Sequence, residues 1–159
     1  FSFSRAAVAA ALIGDITGVH MSVHWDHSWV AGTPFEEVQQ LVLYDYGIHW
    51  FDMLSCLFQD RKPIRVFASE AQSPSQSIRP PLLAQALVEY PSGQASLAFD
   101  AHTPFGAQDR TFIAGSRGSI SSVGPRNKEQ QLTLTTEQGI FVPDLEGCWF
   151  PDGFRGTMG

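Results

Sequence analysis

Leu83-Ala-Gln-Ala-Leu-Val-Glu-Tyr-Pro-Ser-Gly-Gln-Ala-Ser-Leu-Ala-Phe-Asp-Ala101 is the stretch that decides the fold. Pro91-Ser92-Gly93 at its centre is a hairpin turn, since proline presets the turn's φ and glycine accepts the positive φ that a tight reversal requires. Leu83 to Tyr90 and Gln94 to Ala101 therefore read as paired strands. The arrangement recurs downstream. Arg110 to Ala114 and Ser119 to Val123 flank Gly115-Ser116-Arg117-Gly118, and Leu132 to Thr136 and Gly139 to Val142 flank another short turn. Upstream, Ile16 to Trp25 alternates, with Val19, Met21, Val23 and Trp25 on one face and His20, Ser22 and His24 on the other. That is a strand with one packed face. A further strand begins over Ile64 to Ala68, after Arg61-Lys62-Pro63. Sequential strands joined by turns, with few helices, predict an α+β domain: a large open antiparallel or mixed β-sheet covered on one face by helices.

Two helices complete the plan. Ser4 to Ile13 is rich in alanine, which favours a helix, and Gly14 stops it. The second runs from about Asp45 to Phe58. Trp50, Phe51, Leu54, Leu57 and Phe58 make it apolar on more than one side, so it is expected to be largely buried. His27 to Pro34 reads as a loop, as does Glu70 to Pro81 with Pro74, Pro80 and Pro81. The tail from Pro143, rich in glycine, proline and aromatics, reads as a loop near a surface or a partner.

A length of 159 residues suits one domain burying about 70% of its unfolded surface. With 10 Lys+Arg against 16 Asp+Glu, the net charge of -6 supplies no basic field for a phosphate backbone, so nucleic acid is not an expected partner. No apolar run approaches the roughly 20 residues of a spanning helix, and no membrane partner is expected. Ala6 to Ile13 is short and lacks the basic flank of a signal peptide. Cys56 and Cys148 are too few for a disulfide framework or a four-thiolate site, which favours a reducing compartment, the cytoplasm. Phe1 opens the chain without an initiator Met and Gly156-Thr157-Met158-Gly159 stops in mid-pattern, so a piece of a longer protein is expected.

Asp45, His49 and Asp52 are the leading candidate for chemistry. On a helix, residues four and three apart share one stripe, and Cys56 extends it. A carboxylate beside an imidazole fixes its tautomer and raises its basicity, which suits proton transfer to or from a hydroxyl or carbonyl. The competing reading makes Asp45 a helix cap and His49 a satisfied core histidine. His20 and His24 lie roughly 13 Å apart along one strand face, too far to share an ion. His24, Asp26 and His49 could supply metal ligands from separate elements, against the simpler reading of a polar strand edge. Trp25 and Trp29 could line a pocket for a sugar-like ring face or sit in the core. Arg155 could contact an anion or a substrate hydroxyl, or simply be solvated. The chain has no Gly-x-Gly-x-x-Gly, no Gly-x-x-x-x-Gly-Lys and no Gly-x-Ser-x-Gly. By itself it has no cradle for a nucleotide phosphate.

In this order the pieces resemble the C-terminal domain of the glucose-fructose oxidoreductase / inositol dehydrogenase / rhizopine catabolism (Gfo/Idh/MocA) family. Phe3-Ser-Arg with Ala11-Leu-Ile-Gly-Asp-Ile-Thr-Gly-Val19 resembles the domain's first helix, turn and strand. Leu43-Tyr-Asp-Tyr-Gly-Ile-His-Trp-Phe-Asp52 resembles its D-x-G-x-H-x-x-D helix, Pro63 to Ala68 the strand after it, Gly93 to Phe99 a later strand, and Phe112-Ile-Ala-Gly-Ser-Arg-Gly118 a hairpin. The resemblance implies a dihydrodipicolinate-reductase-like sheet and a substrate-binding and oligomerisation domain over residues 1–159. It also implies a missing N-terminal Rossmann domain that binds NAD or NADP and carries the catalytic lysine of an E-K-P motif. It implies His49 and Asp45 as catalytic residues and Asp52 as part of the helix or pocket wall; with the residues read above, His24, Trp25, Asp52 and Arg155 are the substrate-binding candidates. It further implies a sugar, cyclitol or related polyol as substrate, self-association through the sheet, and no cofactor bound by these residues alone. Gln39-Gln40 stands where a glycine pair often precedes the Asp helix. The rival classes are a non-catalytic ligand-binding or scaffolding module and a metal-dependent sugar-binding or lyase-like protein.

Overall fold

The computed structural model describes residues 1–59, 61–126 and 129–145. Helix α1 covers Ser2–Ala9. Strand β1 (Ile16–His24) follows, then two 3-10 turns at Ser28–Val30 and Pro34–Glu37, a π-helical turn at Val42–Tyr46 and helix α2 (Ile48–Phe58). The rest is β2 (Arg65–Ala71), β3 (Leu83–Glu89), β4 (Gln94–Asp100), β5 (Gln108–Gly115), β6 (Gly118–Arg126), β7 (Glu129–Thr136) and β8 (Gly139–Phe141). All eight strands form one sheet in the order β2-β3-β4-β1-β5-β6-β7-β8.

The expected hairpins are present: β3–β4, β5–β6 and β7–β8 each pair antiparallel across their turns. Strand β1 lies in the middle, parallel to β4 and antiparallel to β5, so the sheet is mixed. The carboxyl ends of β1 and β4 emerge side by side at one edge, the place where a parallel pair leaves a crevice for a ligand.

Alternation along the strands builds the core. Val19, Met21 and Val23 of β1 are buried beside Ala95, Leu97 and Phe99 of β4 and Ala84, Ala86 and Val88 of β3. Ile113, Ile120, Leu132 and Leu134 extend this face across β5 to β7. Leu41, Val42, Leu54, Leu57 and Phe58 join the same core from the helical layer. Phe58 stacks on Tyr90 with ring centroids 3.7 Å apart and an interplanar angle of 9°, which fixes the end of α2 to the β3–β4 turn.

Among the described residues, none covers the opposite sheet face. Phe67, Leu87 and Phe112 are all exposed, and they share one cross-strand row with Ser96 and His20. Helix α2 is less buried than its composition implies. Leu54, Leu57 and Phe58 are covered, Trp50, Phe51 and Met53 are half-buried, and Ile48, His49 and Asp52 are exposed.

Helix α1 also ends earlier than its alanines suggest. Ala11 and Gly14 take positive φ values of 53° and 71°, turning the chain onto the β5–β6 hairpin. There the Arg117 N–H donates to the Ile13 carbonyl at 2.9 Å and the Ser116 N–H to the Asp15 carbonyl at 2.9 Å. A Cβ at Gly115 would overlap the Ile13 carbonyl, so this close crossing needs glycine. Strand β2 runs on to Ala71, past the expected start of the loop, because every residue from Arg65 to Ala71 finds a partner in β3.

Candidate active site

The loop leaving β1 is stitched to the end of β4. The Trp25 N–H donates to the Asp100 carbonyl at 2.9 Å, and the His27 N–H to the Ala101 carbonyl at 2.8 Å. The Thr103 N–H returns to the Trp25 carbonyl at 3.0 Å, and Asp26 bridges to His102. Asp26 accepts the Ser28 N–H at 3.0 Å. Bonds from Ser28 to its carboxylate, with smaller help from His102 and His27, hold its pKa below the ordinary value. His102 Nδ1 lies 2.8 Å from Ser73 Oγ, which ties the β2–β3 loop to the same edge.

His27 points inward from this frame and is 9% exposed. Its Nε2 lies 3.4 Å from Asp45 Oδ2. Burial lowers the imidazole pKa, and the attraction of Asp45 followed by Asp26 opposes that shift. The edge of Trp29 closes the ring from the side, with centroids 4.9 Å apart, and Trp29 meets Phe35 at 5.9 Å.

Asp45 sits in the π-helical turn, not on α2. The Gly47 N–H reaches back five residues to the Val42 carbonyl at 2.6 Å, a bond that defines the wider turn. A Cβ at Gly47 would stand 3.1 Å from the Val42 and Leu43 carbonyl oxygens, so glycine lets the turn close. Helix α2 then restarts, with the Trp50 N–H donating to the Gly47 carbonyl at 3.0 Å. The extra residue per turn changes the phase between Asp45 and His49. Residues four apart no longer superimpose, and the Asp45 carboxylate turns to His27.

The remaining candidates are dispersed around this edge. His49 is exposed in the first turn of α2, with the Trp50 ring edge-on at 6.3 Å. No hydrogen bond or ion pair joins it to Asp45 among the described residues. Asp52 is exposed one turn on, while His24 and Trp25 are half-buried at the end of β1. Arg155 and Cys148 lie outside the described residues, and Cys56 is a half-buried free thiol. Among the described residues no three His, Cys, Asp or Glu side chains converge as a metal site, so His24, Asp26 and His49 do not form a ligand set. The pairing of His27 with Asp45 was not visible in the sequence. It joins residues in separate segments, and the sequence places His27 only at the start of a loop.

Comparison with known proteins fits this architecture. Residues 1–121 match the sequence model of the GFO/IDH/MocA C-terminal domain. The chain belongs to that family. None of the curated proteins compared with it matches. Among solved structures, a Thermotoga maritima protein superposes with a TM-score of 0.75 at 21% identity, over 100% of this chain and 50% of its own. An Agrobacterium radiobacter oxidoreductase, solved with NAD+, L-tartaric acid and magnesium, gives 0.74 at 18% identity, over 94% of this chain and 45% of its own. An inositol dehydrogenase homologue from Azotobacter vinelandii, solved with NADH and myo-inositol, gives 0.72 at 22% identity, over 94% and 44%. This GFO/IDH/MocA domain therefore spans about half the length of those proteins. Identities this low establish the shared sheet and nothing finer.

Proposed function

We propose that this chain is the substrate-binding and self-association domain of an NAD(P)-dependent oxidoreductase acting on a hydroxyl of a sugar, cyclitol or related polyol. The observation that supports it is a placement. Within the residues that match the family, Asp45 sits in a π-helical turn and an exposed His49 follows it in the first turn of α2, beside the carboxyl edge of β1 and β4. A π turn inside a helical segment is a frequent mark of a functional position. An exposed imidazole on a fixed helix can take a proton from a ligand hydroxyl or return it.

The residues present do not fit a dinucleotide. The chain has no glycine-rich phosphate-loop motif, and among the described residues no helix follows a parallel strand with one. NAD or NADP, which supplies hydride chemistry when bound, is accordingly assigned to another part of the complete protein. In this reading His49 moves the hydroxyl proton, while Asp45 fixes the local charge. His24, Trp25 and Asp52 border the substrate, and Arg155 is assigned to it as well. The open sheet face is proposed as the self-association surface. Its exposed Phe67 and Leu87 are cross-strand neighbours and Phe112 lies two strands beyond Ser96 on the same row, exposed apolar side chains of the kind an interface covers. The cytoplasm is the proposed compartment; among the described residues no helix is long and apolar enough to cross a membrane.

The test is oxidation of a panel of polyols and sugars by the complete protein with NAD+ or NADP+. Reduction of cofactor with at least one polyol is expected, and the 159-residue chain alone is expected to give none. A complete protein that binds polyols yet reduces no cofactor would replace this reading with a non-catalytic module.

A further inference from the structure

Asp45 lies against His27, and the surroundings of His27 are built to keep it there. Its N–H is tied to the Ala101 carbonyl and its carbonyl accepts the Val30 N–H at 3.3 Å, so the backbone of this residue is clamped on both sides. Its ring is buried and braced by the edge of Trp29. Asp45, by contrast, belongs to the short π-helical turn Val42–Tyr46. Its side chain is 37% exposed. A carboxylate in such a turn needs an outside contact to hold one rotamer, and the contact in the structure is Nε2 of His27 at 3.4 Å.

We propose that His27 is the positioning residue for the Asp45 carboxylate, holding it beside the carboxyl edge of β1 and β4 so that His49 is left open to a ligand. The proposal rests on the reading of Asp45 and His49 as site residues. Among the described residues, the charged groups that act on His27 are Asp45 from the π-helical turn and Asp26 on its own segment, and Asp26 in turn faces His102 from the end of β4. Burial outweighs both carboxylates and favours the neutral ring. A neutral imidazole can present an N–H to Asp45 without neutralising it as a full cation would. A spacing of 3.4 Å is longer than a well-formed hydrogen bond, so a closure of a few tenths of an ångström on ligand binding would strengthen the contact.

The first test needs no activity. In the histidine-labelled chain, the His27 imidazole titration is followed by NMR. Asp45 raises this pKa, so Asp45→Asn must move the midpoint down, and by more than Asp26→Asn does. Three-bond couplings at Asp45 should report one χ1 rotamer in wild type and in His27→Gln, which keeps an N–H donor, and averaging in His27→Phe. An unchanged midpoint in Asp45→Asn, or a fixed Asp45 rotamer in His27→Phe, would overturn the proposal. The second test uses the complete protein. His27→Phe should lower kcat on the order of tenfold or more while KM moves less than about twofold, and His27→Gln should recover most of kcat. Equal kcat losses in both variants, or a KM effect alone, would also overturn it. If the wild-type protein turns over no polyol, the oxidoreductase reading fails, and the titration and couplings still decide what His27 does.

Discussion

Replacing Phe58 by alanine should loosen the helix that carries His49. Phe58 is the last residue of α2 and is 0% exposed. Its ring lies on Tyr90 at 3.7 Å, the Arg61 guanidinium sits 4.9 Å above its centroid, and a Cβ at Gly93 would come within 3.2 Å of its Cε1. The ring is therefore enclosed by a neighbour on each side and by the tight turn behind it, which leaves little freedom for the site to collapse. Cavity formation at such a position costs about 3–5 kcal/mol, including about 0.5–1.5 kcal/mol for the lost stacking. For a chain of this size that corresponds to a fall in Tm of about 6–20 °C. Phe58→Leu keeps most of the buried area and loses the stack, so about 1–2 kcal/mol is expected. Urea denaturation of wild type and both variants, followed by far-UV circular dichroism with m-values compared, measures the difference. A Phe58→Ala loss below about 1 kcal/mol, or no gap between the two variants, would refute the claim that this contact anchors α2.

Two further outcomes follow from the same structure. His27 has its pKa lowered by burial, so its unfolded form binds a proton that its folded form refuses. Its contribution to stability is complete above the unfolded value near 6.5 and is lost as pH falls below it, at up to about 1.4 kcal/mol per pH unit. Denaturant midpoints measured between pH 8 and pH 5 should show this decline in wild type and a shallower one in His27→Gln; equal slopes would contradict it. On the open sheet face, Leu87→Asp with Phe112→Asp should shift the complete protein toward smaller species in sedimentation velocity without lowering the thermal midpoint of the separated subunits, since both side chains are exposed at 54% and 43%. An unchanged oligomer would remove this face from the interface.

Local signals in the sequence carried the strands and turns. Pro91-Ser92-Gly93 and Gly115-Ser-Arg-Gly118 mark hairpins because the backbone there needs particular residues, and the alternation from Val19 to Val23 reports a packed face directly. Long-range choices carried no such mark. The parallel pairing of β1 with β4 joins Gly18 to Gln94, and nothing in either strand favours that neighbour over another. The candidate site was legible in its residue types and not in its geometry. Asp45, Gly47 and His49 invite a single helix, yet the bond from Gly47 to Val42 inserts a wider turn that sends Asp45 toward His27. Helical periodicity has no way to register that one-residue change of phase. Composition overstates the burial of α2 for a related reason: its apolar residues are spread round the helix, and among the described residues only Leu54, Leu57 and Phe58 are buried.

Steady-state kinetics of His49→Ala in the complete protein, with cofactor affinity titrated in parallel, test the central claim most directly. If His49 moves the hydroxyl proton, kcat should fall by about a hundredfold or more while the dissociation constant for NAD(P) stays within about twofold. An unchanged kcat, or equal losses in turnover and cofactor affinity, would contradict the assignment of the site.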